Sequence, residues 1–409
     1  MMSFFRFALA ALAISATTAT QAQPIVVADS GDSAWVLAAS AIALFAALPG
    51  FILFHSRGRD GNHGIMMFVS VAVASLAFAI IGYSLAFGDG SSIIGGSGNA
   101  FLGNLAELHG DSTISETVYA LFELSIALLA VGIMVSSIAD RAAFNWLTGF
   151  VALWSLIVYA PIAHWIWGGG WLADLGVLDF GGGLVVQVAA GTATLIIALL
   201  IGRGVHEELP EDTRLTLGGL WLVWIGWLGV LGGAALAGGD DAATAMLNAQ
   251  FAASAAVLTG LAITRWRKSN AGDYGFATAA VAGLAAISSG AAFVGPGGAI
   301  ALGVLGAIGG WAGSILVRRL NLGTTVSAFV SSGCGGIVGA LAFPVFVSPV
   351  FGGPGFDQGV GLLTQTIAQG VGVLVVMLWS AIVTAIAALM VSMIAPMRVS
   401  ARIGATTQL

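Results

Sequence analysis

The chain has 409 residues, 58% of them hydrophobic and 8% charged, with a formal net charge of −6 and a mean hydropathy of +1.00. Soluble domains carry about 25% charged residues, so a soluble fold is excluded and the chain reads as a membrane protein. Its net charge is acidic, and no nucleic-acid partner is expected.

Arg6 opens a short apolar run from Phe7 to about Ile14, followed by small residues ending in TATQA. This pattern predicts a cleaved signal peptide over 1–22, cut after Ala22, with the mature N-terminus outside. Segments about 20 apolar residues long, enough for one crossing, then recur at about 34–54, 65–87, 117–139, 144–163, 183–202, 215–237, 245–264, 277–294, 299–317, 324–346 and 361–394. The expectation is an all-α integral membrane protein with eleven transmembrane helices over 23–397 and a short cytoplasmic tail at 398–409. A bacterial inner membrane is the expected location.

Charge supports this topology independently, because Lys and Arg concentrate in cytoplasmic loops. With eleven crossings and the N-terminus outside, all the basic residues after the signal fall on one side: Arg57, Arg59, Arg141, Arg203, Arg214, Arg265, Arg267, Lys268, Arg318, Arg319, Arg398 and Arg402. The opposite loops carry Asp29, Asp32, Asp89, Glu107, Asp111, Glu116, Asp174, Asp179, Asp240, Asp241 and Asp357. A cation approaching from outside therefore meets a negative surface.

The 59 glycines, as in GVGLLTQTIAQGVGVL and GAIGGWAGS, permit close helix packing in lipid. Spans one to five and six to ten form two halves of equal count, and an odd number per half inverts the second relative to the first. Such inverted repeats, here followed by one C-terminal helix, place a substrate path near the midplane. Gln187 lies about eight residues past Asp179, roughly 12 Å at helical rise, and Ser332 reaches similar depth from the other side.

Cys334 is the only cysteine, so no internal disulfide is expected; it reads as small filler in the tenth span. The histidines form no metal-ligand spacing, and His55, His63, His109 and His206 read as solvated loop residues. No cofactor, no metal and no enzyme chemistry is expected, since no nucleophile or acid-base pair converges on the pore.

Several stretches in order from about Asp29 to Met397 resemble the Amt/Mep/Rh ammonium transporter family: DSGDSAWVL, GYSLAFG, GNAFLGN, YAPIAHWIWGGGWLADLGVLDFGGGLVVQVAAG and SGCGGIVGAL. The resemblance implies eleven spans with the N-terminus outside, a homotrimer with one pore per subunit, and ammonium or ammonia as substrate. Trp167 matches the family's cation-site tryptophan, Asp179 its supporting aspartate and Phe122 an aromatic of the vestibule. Elsewhere the chain departs from the pattern. Ile126 and Val230 stand for two gate phenylalanines, Ala234 for a serine of the outer site, Gln187 and Ser332 for the paired histidines, and Ser327 for an aspartate. The sequence ends MRVSARIGATTQL, short of the longer tail that engages a nitrogen-signalling regulator, so no such partner is expected there.

Physical reading of these positions sharpens the expectation. Trp167 offers a π face worth about 0.5–2 kcal/mol to a cation, or is an interfacial belt residue like Trp165 and Trp171. Asp179 precedes the fifth span, where a carboxylate caps a helix and favours a nearby cation. Glu123 stands where a glutamine is usual; a charge near the bilayer centre costs about 2.5–3.5 kcal/mol, so it is either a hydrated carboxylate or the acceptor replacing the lost serine. Gln187 and Ser332 cannot titrate, unlike histidine, and either line a pore or satisfy one another in a closed core. Three functions remain open: ammonium or ammonia transport through an altered pore, a non-conducting ammonium-binding sensor, and a channel for another small neutral solute.

Overall fold

A computed structural model describes residues 27–54, 62–103, 105, 108–110, 112–139, 141–202, 213–267, 275–320, 322, 326–356 and 358–398. The expected signal peptide and all of the expected tail after Arg398 lie outside these, as do Arg57, Arg59, Glu107, Asp111, Arg203, Lys268, Asp357, Arg402, His55 and His206. Among the described residues the regular structure is helical, apart from two isolated bridges, Leu108 with Ser115 and Ala142 with Arg398.

Among the described residues, ten helical segments are long and apolar enough to cross a membrane: α1 (Ser30–Phe54), α2 (His63–Phe87), α3 (Glu116–Ser136), α4 (Phe144–Asp174), α5 (Gly183–Ile201), α6 (Arg214–Gly233), α7 (Asp240–Arg267), α9 (Pro296–Arg319), α10 (Phe329–Phe346) and α11 (Leu362–Ser392). The expected span at 277–294 is a shorter helix, α8 (Phe276–Ser288), of 13 residues. At 1.5 Å per residue it is about 20 Å long, below the ~30 Å of hydrocarbon. Every residue from Ala279 to Ser288 is buried. Protein rather than lipid therefore surrounds α8, and α7, α9 and α10 pack around it.

The ends of the helices follow from local chemistry. Asp29 caps α1 by accepting from the N–H groups of Gly31 and Asp32 at 2.7 and 3.0 Å. Helix α7 starts with Asp240 and Asp241 and ends with Arg265 and Arg267, the charge order that the helix dipole favours. Arg318 and Arg319 likewise close α9. Arg141 donates to the terminal carbonyl of α5 at Gly202, and Arg398 pairs with neighbouring Ala142, so these two basic residues share one end of the bundle.

Packing relies on small residues, as the composition predicts. A Cβ on Gly303 would fall 2.1 Å from the Ala252 carbonyl oxygen, and one on Gly339 2.0 Å from that of Ala286. Helix α3 lies at the centre: 89% of its most apolar window is buried.

Among the described residues, five spans contain a wider, π-helical turn, including α5 at Gly183–Val188 and α10 at Phe329–Gly333. Gln187 and Ser332 lie on those two turns. π-turns occur frequently at functional positions. Here they lie against each other, because Gly191 and Gly333 remove the side chains at the crossing: a Cβ on Gly191 would lie 2.4 Å from Gly333 Cα.

Candidate functional site

A cavity of about 300 Å³ opens where α3, α4 and the end of α6 meet, and its wall includes Phe122, Glu123, Ile126, Trp167 and Ala234. Five residues singled out from the sequence thus converge on one vestibule. Phe122 and Glu123 are neighbours on α3, and Ile126 lies about one turn further along it. Ala234 lies just beyond Gly233, where α6 ends and the chain turns.

Trp167 is placed by the glycine run that follows it. A Cβ on Gly168 would fall 1.9 Å from the Ala86 carbonyl oxygen, and Gly169 adopts φ +78°, a region that favours glycine. The run therefore lets α4 end against the end of α2. His164 secures that contact, its ring nitrogens facing the carbonyl oxygens of Ala86 at 2.9 Å and Ser91 at 2.7 Å. The indole Nε1 of Trp167 donates to the Asp179 carbonyl oxygen at 2.7 Å.

Asp179 itself is buried behind the vestibule. Its Oδ2 accepts from the N–H groups of Leu184 and Val185 at 2.8 and 2.9 Å, and its Oδ1 accepts from the Ser289 hydroxyl at 2.8 Å. The carboxylate thus caps α5, as its position in sequence suggests, and ties that cap to the end of α8. Gly183 is needed for this approach, since its Cβ would lie 2.1 Å from Ser289 Oγ. Burial pushes the Asp179 carboxyl up to about 6, against the lowering by these hydrogen-bond donors.

Glu123 is 5% exposed and its Oε2 has no hydrogen-bond partner within the protein. Deeper in, Gln187 and Ser332 are 0% exposed, and Gln187 Oε1, Gln187 Nε2 and Ser332 Oγ all lack partners. The alternative in which the two satisfy one another is therefore overturned. Gln187 Cβ would be 2.8 Å from a Cβ on Gly336, so it sits on the face where α5 meets α10. Thr192 adds another buried, unpartnered hydroxyl on α5. Val230 is fully buried, and does not belong to the vestibule wall. Ser327 lies within 3.4 Å of the Ser137 hydroxyl.

Three other readings are corrected. His63 is 4% exposed within α2, not solvated loop. His109 does lie in a loop but lines the vestibule, with Nδ1 2.8 Å from Glu116 Oε2; only its place among acidic residues signalled this. Trp165 is buried, donates to the Ile93 carbonyl and packs on Trp379, so it is no lipid-facing belt residue.

A multi-span helical membrane protein with a polar vestibule above a buried polar midsection is the class these features define. A model of the Ammonium Transporter Family matches residues 34–404, and the chain belongs to that family. It is 36% identical over 385 residues to an ammonium transporter of Aquifex aeolicus, covering 91% of this chain and 90% of that protein. It is 34% identical to ammonium transporter Amt1 of Archaeoglobus fulgidus over 80% of this chain and 83% of that one. Among solved structures, a protein described as a sensor Amt protein superposes with TM-score 0.81 at 26% identity, covering 90% of this chain and 95% of its own. Saccharomyces cerevisiae Mep2 superposes with TM-score 0.81 at 26% identity over 92% and 88%.

Proposed function

We propose that this protein carries ammonium across a membrane by binding the cation in the vestibule and passing it on as neutral ammonia. The observation that carries this reading is the convergence of Trp167, Glu123, Phe122 and Ala234 on one cavity. An aromatic face and a carboxylate together suit a small cation. Asp179 holds the Trp167 side of the site from behind, through its backbone carbonyl.

Gln187 and Ser332 support the second half of the reading. Each leaves a buried polar group unpartnered, at a cost of about 1–3 kcal/mol per group, which a purely structural core avoids. They accept and donate hydrogen bonds without titrating, so they suit a neutral solute. Ile126 at the cavity wall and Val230 on α6 make the intervening constriction aliphatic.

In this reading the chain crosses a bacterial inner membrane eleven times, α8 included, after loss of 1–22. The vestibule faces outward, the end bearing Arg141 and Arg398 faces the cytoplasm, and three subunits assemble as a homotrimer. The family membership and the sidedness of the charges support this arrangement.

Uptake of radiolabelled methylammonium into liposomes containing the protein tests the function. Wild-type protein gives saturable uptake, and Trp167→Leu weakens half-saturation by up to about thirtyfold, the equivalent of the aromatic contact. Uptake equal to that of protein-free liposomes would remove the reading.

A further inference from the structure

We propose that His109 is the group that receives the proton of ammonium at the vestibule, held for that task by Glu116. This assignment rests on the transport reading above and adds to it the place where the cation becomes neutral.

The His109 ring is held by two contacts, one of which is itself anchored. Its Nδ1 lies 2.8 Å from Glu116 Oε2. The other oxygen of Glu116 accepts the Tyr83 hydroxyl from α2, so the carboxylate is itself held in place. The ring stacks on Tyr119, with centroids 3.4 Å apart and planes at 10°. Nδ1 donates to the carboxylate, which leaves Nε2 as the basic nitrogen. A carboxylate behind an imidazole orients it and stabilises the imidazolium that forms on protonation, the general device of a positioned base.

Position completes the argument. His109 and Glu123 line the same cavity as Trp167. Beyond that cavity the polar side chains at the α5–α10 crossing, Gln187 and Ser332, do not ionise, so the proton must leave before them. The titratable groups that face His109 are Glu116 and Tyr119 from α3 and Tyr83 from α2, with Glu123 across the cavity on α3. Glu123 retains the cation only while ionised, whereas histidine is the side-chain type that changes charge nearest neutral pH.

The step balances within these groups. One N–H bond of ammonium breaks, its electron pair stays on nitrogen as the ammonia lone pair, and the proton bonds to Nε2 of His109. Imidazolium and the Glu116 carboxylate then form an ion pair. Ammonia moves inward, and the proton returns from Nε2 to the water outside, so net transport is neutral.

The test is ammonium-driven alkalinisation inside liposomes containing full-length protein, followed from about pH 5.5 to 8 outside, across the range where histidine titrates. Wild type shows a rate inflection with pH. His109→Gln loses that inflection and slows by about a hundredfold, the scale of positioned acid-base catalysis. Glu116→Gln leaves the ring without its orienting partner and slows alkalinisation about tenfold while methylammonium half-saturation stays at the wild-type value, and Glu116→Asp recovers most of the rate; a purely structural role predicts no such split. A His109→Gln protein with the wild-type profile overturns the assignment alone. Should that variant fail to fold, a wild-type rate in Glu116→Gln overturns it equally. No flux from wild type removes the transport reading and this role together.

Discussion

Trp167 and Asp179 are joined through a backbone atom: the indole Nε1 donates to the Asp179 carbonyl oxygen at 2.7 Å, while the Asp179 carboxylate is occupied with the first turn of α5 and with Ser289. The carboxylate therefore positions the vestibule from behind rather than touching its contents. The two ends of the stretch WGGGWLADLGVLDF are thus one structural unit.

The buried Asp179 carboxyl gives that unit a pH dependence. Its folded pKa is raised to about 6, chiefly by burial, so the folded protein binds this proton more tightly than the unfolded chain does. The associated stability is fully present below the unfolded value of about 3.9 and is lost as pH rises through about 6. Asp179→Asn removes the titration. Subtracting the variant's Tm from that of wild type should give a difference that shrinks between about pH 4 and 6; a flat difference contradicts the assignment.

Glu123 carries an unpartnered oxygen on the vestibule side of α3. Glu123→Gln keeps the shape and removes the charge, and methylammonium Kd should rise about tenfold, equivalent to ~1.4 kcal/mol. Calorimetric titration of protein in detergent measures it. An unchanged Kd rules Glu123 out as the cation's partner.

Gln187 predicts opposite effects on stability and transport. Both its polar atoms are buried without partners, so Gln187→Leu should stabilise the fold by about 1–3 kcal/mol while slowing uptake. A fall in Tm would mean that the carboxamide is satisfied in the folded protein.

Gly191 permits the crossing of α5 and α10. Gly191→Val would force its Cβ to within 2.4 Å of Gly333 Cα, and overpacking of this kind costs about 1–3 kcal/mol. The variant should melt earlier and transport more slowly, as read by thermal denaturation and uptake; wild-type values for both would show that the two helices part freely.

Much of the fold was legible because lipid imposes a length on apolar segments. The exception is α8, whose surroundings are protein, so the length rule that finds α3 or α11 overestimates it. Vestibule residues on α3 and α4 were legible through the family resemblance, which picked out Phe122, Ile126 and Trp167 and set Glu123 apart as a departure from the usual glutamine. His109 was not: its role depends on Glu116 seven residues later and on Tyr83 from another helix, contacts that no local pattern encodes. The same limit hid the roles of His164 and Ser289, whose partners are distant in sequence.

The most direct measurement is of charge. Solid-supported membranes carrying liposomes with the protein, exposed to an ammonium pulse, report current while a trapped dye reports internal pH. A vestibule that strips the proton, above a midsection that cannot ionise, predicts internal alkalinisation faster than in protein-free liposomes and no associated current. A sustained protein-dependent inward current that scales with ammonium would show that the charge crosses with the nitrogen.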